Sequence, residues 1–431
     1  MLQRICILLL SWMSAHASVT ALYLTWHEDP TTTMEIYWHT PEYDANDTIY
    51  LQSKDLRWHA IVGSHTELHY LFVHAVHLAQ LQPDTEYSFR IGEDPTIYKF
   101  KTAPSTLKSP IQFIIGGDAD YNGKTFSKMN KVIAEKNPLF CVIGGDIAYA
   151  IRGAPIHRMS SPFNRWLSFL IAWKKEMVTK DGFLIPFLLV AGNHDISKED
   201  PSLFFSLFPS PTKELYRSLY FGNYLGLILL DTGHLSPIEG AQTSWLNKTL
   251  GENSQIPFRF AVYHEAAYPS HYPYEGNTPK RIRSFWCPLF DKYKLSAAFE
   301  NHNHAFKRTH PLTNNEIDPQ GMIYFGDGCW GAPPRKTNNM WYLAKEEQRN
   351  NVYLVQMNET TAEIHALDLE GKIFDSTTLN RSLPSSNHPS IEAKPTSTEE
   401  LPVHSKTENE GSLNTKLQES EFLLQEMPEH Q

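Results

Sequence analysis

An α/β core behind a small all-β sandwich is the fold class that this sequence predicts. Residues 19 to about 103 alternate at strand period and carry almost no helical pattern. After residue 110 the pattern changes to continuous apolar runs with helical stretches between them. A short linker, residues 101–110, divides the two regimes. A length of 431 residues is itself a prior for two folded units. Hydrophobic residues at 41%, with aromatics at 12%, are enough to fill both cores.

The first segment, residues 1–17, has the layout of an export signal peptide. Arg4 supplies the positive end, residues 5–10 with Trp12 and Met13 the apolar run, and Ala15-His16-Ala17 the cleavage site. That run is far shorter than the roughly 20 residues of a membrane span. No later stretch is long and apolar enough either, so the expectation is a secreted or periplasmic protein with no integral membrane span.

The sandwich is assigned to residues 18–104. Leu22, Leu24 and Trp26 alternate, as do Met34, Ile36 and Trp38, and later Tyr87, Phe89 and Ile91. Turn clusters such as Glu28-Asp29-Pro30 stand between them. Leu81-x-Pro83-x-Thr85-x-Tyr87 resembles the tyrosine corner of fibronectin-type-III-like sandwiches, where a hydroxyl pins the chain at a strand crossover.

The second unit is assigned to residues 110–370. Its apolar runs fall at 111–115, 139–143, 185–190, 225–230, 258–263, 295–299 and 322–325. Such strands alternating with helices indicate sheets covered on both faces. Trp166, Phe169, Leu170, Trp173 and Met177 share one helical face and read as core packing. Residues 383–431 are polar and rich in Pro, Ser and Glu, and are expected to be a disordered acidic tail.

A formal net charge of −10 and a pI near 6.1 argue against nucleic acid as a partner. Of the 4 cysteines, Cys6 lies in the signal and Cys141 inside an apolar run, which predicts a buried thiol. Whether Cys287 and Cys329 pair is left open, as are glycosylation of the Asn46, Asn247, Asn358 and Asn380 sequons and the oligomeric state.

The chemistry stands at the strand ends. The first apolar run is followed by Gly116-Gly117-Asp118, the second by Gly144-Gly145-Asp146-Ile147-Ala148-Tyr149, and the third by Gly192-Asn193-His194-Asp195. His264 follows the run at 258–263, and Glu300-Asn301-His302-Asn303-His304 the run at 295–299. Ligand sites of open α/β folds lie beyond the carboxyl ends of the strands, so these groups converge on one crevice. Carboxylate, amide and imidazole donors suit zinc, iron and manganese, and one carboxylate can bridge two ions. Any one of these short motifs means little; the ordered series is specific.

That series resembles the metallophosphoesterase superfamily, and GD-x-x-Y resembles its purple acid phosphatase branch, which also carries a fibronectin-like N-terminal domain. The resemblance covers most of residues 19–370 and implies a core of two mixed β-sheets flanked by helices. It implies a binuclear metal centre in which Asp118, Tyr149 and His304 hold Fe(III) and Asn193, His264 and His302 hold a divalent metal, either Zn, Fe or Mn. Asp146 bridges the two. The implied activity is phosphate ester hydrolysis by a metal-bound hydroxide. His194 would serve as the catalytic acid, with Asp195 orienting it, and His271 is a second acid candidate.

Three positions depart from the family pattern. Asp120 stands where glycine is usual, either adding charge near the first metal or facing solvent. Asn301 replaces the glycine before HxH, and Phe306-Lys307 replaces Tyr-Glu. The leading expectation is an acid phosphatase for small-molecule monoesters. The alternative is a hydrolase of diesters, nucleotides or phospholipid headgroups at the same site. A non-catalytic binding protein would have lost ligands, whereas all the family positions are filled here.

Overall fold

The computed structural model describes residues 19–41, 44–52, 56–151, 160–210 and 212–381. The export signal and the acidic tail read from the sequence lie outside the described residues.

The N-terminal unit contains only strands among its described residues. They are β1 (Ala21–Thr25), β2 (Met34–Pro41), β3 (Thr48–Gln52), β4 (Trp58–Val62), β5 (Ser64–Leu68), β6 (Leu71–Leu78), β7 (Glu86–Ile91) and β8 (Tyr98–Lys101). They form two antiparallel sheets, ordered β1-β2-β6-β5 and β4-β3-β7-β8. Alternation at period two puts Leu22, Leu24, Ile36 and Trp38 against Ile49, Phe89 and Ile91 in the core. Tyr87 forms the corner, its hydroxyl accepting the Gln82 N–H at 2.8 Å.

The second unit begins with β9 (Ile111–Gly116), α1 (Gly123–Glu135), β10 (Cys141–Gly144), α2 (Pro162–Glu176) and β11 (Phe187–Val190). It continues through α3 (Ser202–Leu207), β12 (Arg217–Phe221), β13 (Leu225–Leu229), α4 (Ala241–Glu252) and β14 (Phe258–Val262). Next come α5 (Asn277–Phe285), α6 (Cys287–Lys292), β15 (Ala297–Phe299), β16 (Phe306–Thr309), and the small hairpin β17 (Leu312–Thr313) and β18 (Glu316–Ile317). The last strands are β19 (Ile323–Gly326), β20 (Leu343–Glu347), β21 (Val352–Met357), β22 (Thr361–Leu367) and β23 (Ile373–Asn380).

Two large mixed sheets result, ordered β11-β10-β9-β21-β22-β23 and β12-β13-β14-β15-β19-β16-β20. Their facing surfaces share one core, with Phe113, Val142 and Leu188 from the first and Leu227, Phe260 and Phe299 from the second. α1 and α2 cover the outer face of the first sheet, where Met129, Trp166 and Phe169 meet Ile114, Ile143 and Phe187. α4, α5 and α6 cover the second, where Leu246, Ile282 and Trp286 meet Ala261, Tyr263 and Tyr324. The apolar positions of α2 are those that its spacing predicts, with Met177 just past its last turn. Cys141, Cys287 and Cys329 are all buried free thiols, so the pairing left open above is absent. No helix among the described residues is long and apolar enough to cross a membrane.

Buried charge fixes the loops around residues 300 and 327. Lys307 on β16 is enclosed, bonded to the Glu300 carboxylate and the Tyr268 carbonyl and 2.9 Å from Asp327 Oδ1. Glu300 Oε1 accepts from the Tyr263 hydroxyl and the Ala267 N–H, each at 2.7 Å. Asp327 Oδ2 accepts from the Ser270 N–H at 2.8 Å. Burial raises the Asp327 carboxyl to about 6, against the opposing pull of Lys307. Lys307→Met would strand two buried carboxylates, an expected loss of roughly 3–5 kcal/mol. Urea unfolding of the variant checks it, and a loss below about 1 kcal/mol would contradict the arrangement.

Candidate metal centre

β9, β10 and β11 run parallel, as do β13, β14, β15 and β19, so the carboxyl ends of both sets open on one cleft between the sheets. β9 delivers Asp118, β10 delivers Asp146 and Tyr149, and β11 delivers Asn193 and His194. From the other sheet, β14 delivers His264 and β15 delivers His302 and His304. Beyond their strands the first two loops stay zipped together. The N–H groups of Asp118, Ala119 and Asp120 donate to the carbonyls of Gly145, Asp146 and Ile147 at 2.8–2.9 Å.

The donors fall into two groups that share a residue. Asp118, Asp146 and His304 converge in one, and Asp146, His264 and His302 in the other, with ligand atoms of each group within 4.8 Å of one another. His304 Nε2 lies 2.8 Å from Asp118 Oδ1, and the Tyr149 hydroxyl lies 3.1 Å from Asp118 Oδ1 and 3.0 Å from His304 Nε2. In the second group His264 Nε2 is 3.4 Å from Asp146 Oδ1, 3.2 Å from Asn193 Oδ1 and 3.2 Å from His302 Nδ1. All seven residues proposed from the sequence are thus brought together. Converging imidazole, carboxylate, amide and phenol donors, most of them buried, fit a pair of hard or borderline cations.

The electrostatics couple the donors to one another. Burial alone would raise the Asp146 carboxyl, but His264 first, then His194 and His302, hold it far below the carboxylate range. Burial would lower His264, yet Asp146 lifts it to about 10. His302 is driven well down by burial and by His264, which keeps it neutral and free to coordinate. Burial and the Asp118 carboxylate raise the Tyr149 phenol well above its usual range.

Two glycines make room for these groups. A Cβ on Gly145 would stand 2.3 Å from His264 Nδ1, and one on Gly192 2.3 Å from the Asp146 backbone nitrogen and Oδ1.

The structure corrects the role given to Asp195. It does not touch the His194 ring: its carboxylate is buried and accepts the N–H groups of Ile147 and Gly192, each at 2.8 Å. Burial, then Asp146, raises it to about 8. The His194 ring is oriented instead by the Ile151 carbonyl, 2.9 Å from Nδ1, with Nε2 4.0 Å from Asp146 Oδ2. Asp120 does not face solvent either. It is buried against Arg165 at 3.4 Å, and burial raises it to about 7 despite that guanidinium. Asn301 fills the space between Gly117 and Gly144 and donates to the Tyr263 carbonyl at 2.8 Å.

His271 stands at the rim, its Nδ1 2.8 Å from the Lys336 carbonyl. Its neighbour Tyr272 stacks on His302 with ring centroids 4.9 Å apart. Arg335 is a residue the sequence reading missed. Its guanidinium donates to the Tyr272 hydroxyl at 2.8 Å and the His302 carbonyl at 3.1 Å, placing a fixed positive charge at the lip. It sits in a coil without periodicity or motif, so only the folded chain reveals it.

Comparison with known proteins gives the class first. Residues 115–307 match the calcineurin-like phosphoesterase family, and the zipped loops and shared carboxylate lie within that span. Residues 19–102 match the N-terminal domain of purple acid phosphatases. The chain belongs to the purple acid phosphatase branch of the metallophosphoesterases. Purple acid phosphatase 22 of Arabidopsis thaliana is 26% identical over 278 residues, covering 62% of each protein. Fe(3+)-Zn(2+) purple acid phosphatase 12 of the same plant is 27% identical over 271 residues, covering 56% of this chain and 53% of the relative. The chain thus spans only 53–62% of the length of these two relatives. The fold matches the purple acid phosphatase PPD1 from yellow lupin seeds with a TM-score of 0.70 at 16% identity, over 88% of this chain and 77% of the other.

Asp195→Ala tests the bracing of the bridging loop. It leaves two buried N–H groups without an acceptor, at about 1–3 kcal/mol each. Metal affinity, measured by chelator competition on the folded variant, should fall roughly 10–100-fold, as when a group that holds a ligand is removed. Unchanged affinity would show that Asp146 holds its place unaided.

Proposed function

We propose that this chain is an acid phosphatase hydrolysing small phosphate monoesters at a binuclear centre of Fe(III) and a divalent metal, Zn, Fe or Mn. The observation that carries the reading is the sharing of Asp146 between two donor groups. Two cations held there would acidify a coordinated water, polarise the phosphoryl oxygens and neutralise charge in the transition state.

The chain's own residues account for the rest. Asp118, Tyr149 and His304 would hold one cation, Asn193, His264 and His302 the other, and Asp146 both. Nδ1 of His194 donates to the Ile151 carbonyl, which leaves Nε2 turned toward Asp146. Nε2 is then the ring nitrogen that would carry a proton to the leaving alcohol. Arg335 at the lip offers a charge to the substrate phosphate. The recesses beside the cleft are small. One of about 150 Å³ is lined by Asn193, Lys198 and His234, and one of about 250 Å³ by Tyr272, His302 and Asn303. Recesses of that size favour a small ester over a bulky diester.

The test is a panel of monoesters and diesters given to metal-replete wild type and to His194→Ala. Monoesters should turn over faster; preference for diesters would overturn the monoester reading. His194→Ala should lose roughly 10²–10⁴-fold in kcat on alkyl monoesters and less on nitrophenyl phosphate, whose leaving group needs no proton. Equal losses on both would exclude proton donation.

Iron in the first position has its own readout. A phenol held protonated by burial and by Asp118 would release its proton to solvent only when its oxygen is bound by a strongly Lewis-acidic ion, which favours Fe(III). The purple acid phosphatase 12 relative carries Fe(3+) and Zn(2+) in its name. A ferric phenolate absorbs in the visible, so active protein should be pink or purple. Tyr149→Phe should bleach the band while Asp146 and the other donors retain the metals. A fully active, iron-free, colourless wild type would refute the ferric assignment and leave the phosphoesterase intact.

A further inference from the structure

The N-terminal sandwich holds a third set of convergent donors, Asp47, His65 and His74, none of which belongs to the cleft. His65 on β5 lies directly opposite His74 on β6, so both rings project from one face of the sheet. His74 is also opposite Trp38 on β2, and the two rings stack at 4.8 Å with planes 3° apart, which fixes the imidazole. Asp47 arrives from the start of β3, in the opposing sheet. Its carbonyl is held by the Gly63 N–H at 3.0 Å. The ligand atoms of the three side chains lie within 4.8 Å of one another.

Both imidazoles turn Nδ1 toward the one carboxylate. The Thr40 hydroxyl lies 2.8 Å from the Asp44 carbonyl and 2.6 Å from His74 Nε2, which holds the ring from its far side. A neutral His74 protonated at Nε2 turns the bare Nδ1 lone pair toward Asp47 Oδ1 at 2.7 Å. In that tautomer the facing lone pairs repel, and a cation bound by both atoms relieves the repulsion. His65 aims Nδ1 at the same carboxylate, 2.9 Å from both oxygens. In the other tautomer of His74, Nδ1–H donates to the carboxylate, and a cation binding to all three side chains displaces that proton.

We propose that Asp47, His65 and His74 form a metal site for a single divalent cation of the zinc class, separate from the binuclear centre. Two imidazole nitrogens and a carboxylate oxygen are the donor set of three-ligand zinc sites that keep a position for water. Exposure of 27% at His65 and 18% at Asp47 gives the ion and its water a way in. The Thr40 bond to His74 Nε2 is the outer contact that sets the tautomer of a coordinating histidine. The cation ties the edge strand β5 to the opposing sheet.

The experiment loads the full chain and His65→Gln with zinc, removes the excess and measures zinc per chain by mass spectrometry. His65 is partly exposed and on an edge strand, so the substitution suits a folded comparison. Wild type should retain one more zinc per chain than His65→Gln, with a larger zinc-dependent rise in Tm. Equal zinc content in the two folded proteins overturns the site. If the variant does not fold, anomalous scattering at the zinc edge from wild-type crystals decides. A peak about 2.0–2.1 Å from Nδ1 of His65 and of His74 supports the site. No peak there while the cleft shows its own overturns it.

Discussion

A carboxylate sealed inside a protein needs positive charge around it, and the cleft is organised by that need at Asp146. The side chain is 1% exposed and faces His264 and His194, with the donors of both groups within reach. Burying such an ion uncompensated costs several kcal/mol, so its neighbourhood must supply imidazolium or cations. The close approach of Gly145 and Gly192 is what lets the surrounding backbone contract onto it. Five of the seven proposed ligands pay in backbone strain: Asp118, Asp146, Tyr149, His302 and His304 have φ between 49° and 74°. Each such residue costs on the order of 1–3 kcal/mol and persists only where the surroundings over-determine it. Here the zipped loops and the Asp195 brace do so on one side of the cleft.

The other side is held by charge. Lys307 stands where the family has glutamate, and Glu300 and Asp327 are its partners. The buried charge that Lys307 brings is compensated by those two carboxylates, and neither contact involves an imidazole of the cleft. Asn301 and Asp120 behave alike. One fills space between glycines and the other faces Arg165. These substitutions rework the supports of the centre, which is why the ligand geometry survives them.

This division explains what the sequence could show. Apolar runs mark strands, and in parallel strands the residues just past each run must share an edge, so Asp118, Asp146, Asn193, His264 and His302 were legible without coordinates. The tyrosine corner was legible because it is local, five residues from Gln82 to Tyr87. Asp195 was misread because adjacency to His194 suggested a contact that the turn denies; its partners are backbone groups three and forty-eight residues away. Arg335 and the Asp47–His65–His74 cluster carry no spacing signal at all. Their proximity depends on strand register and on which sheet each strand joins, which a single sequence leaves open.

Both centres draw their donors from two sheets. Asp118 and Asp146 come from the β9–β10 side and His264, His302 and His304 from the β14–β15 side, so each cation would clamp one sheet to the other. Asp47 precedes a strand of one N-terminal sheet while His65 and His74 lie on the other, which repeats the arrangement on a smaller scale. A ligand that binds only when two layers are in register adds its binding free energy to their association. Metal binding in this chain would then add to folding stability, beyond the zipped loops, the Asp195 brace and the imidazoles that face Asp146. The same coupling separates the two kinds of site. In the cleft His194 Nε2 faces the shared carboxylate of Asp146, whereas the sandwich cluster is backed by Trp38 and Thr40. On the proposed reading the first arrangement would turn substrate over, and the second would hold an edge strand in place.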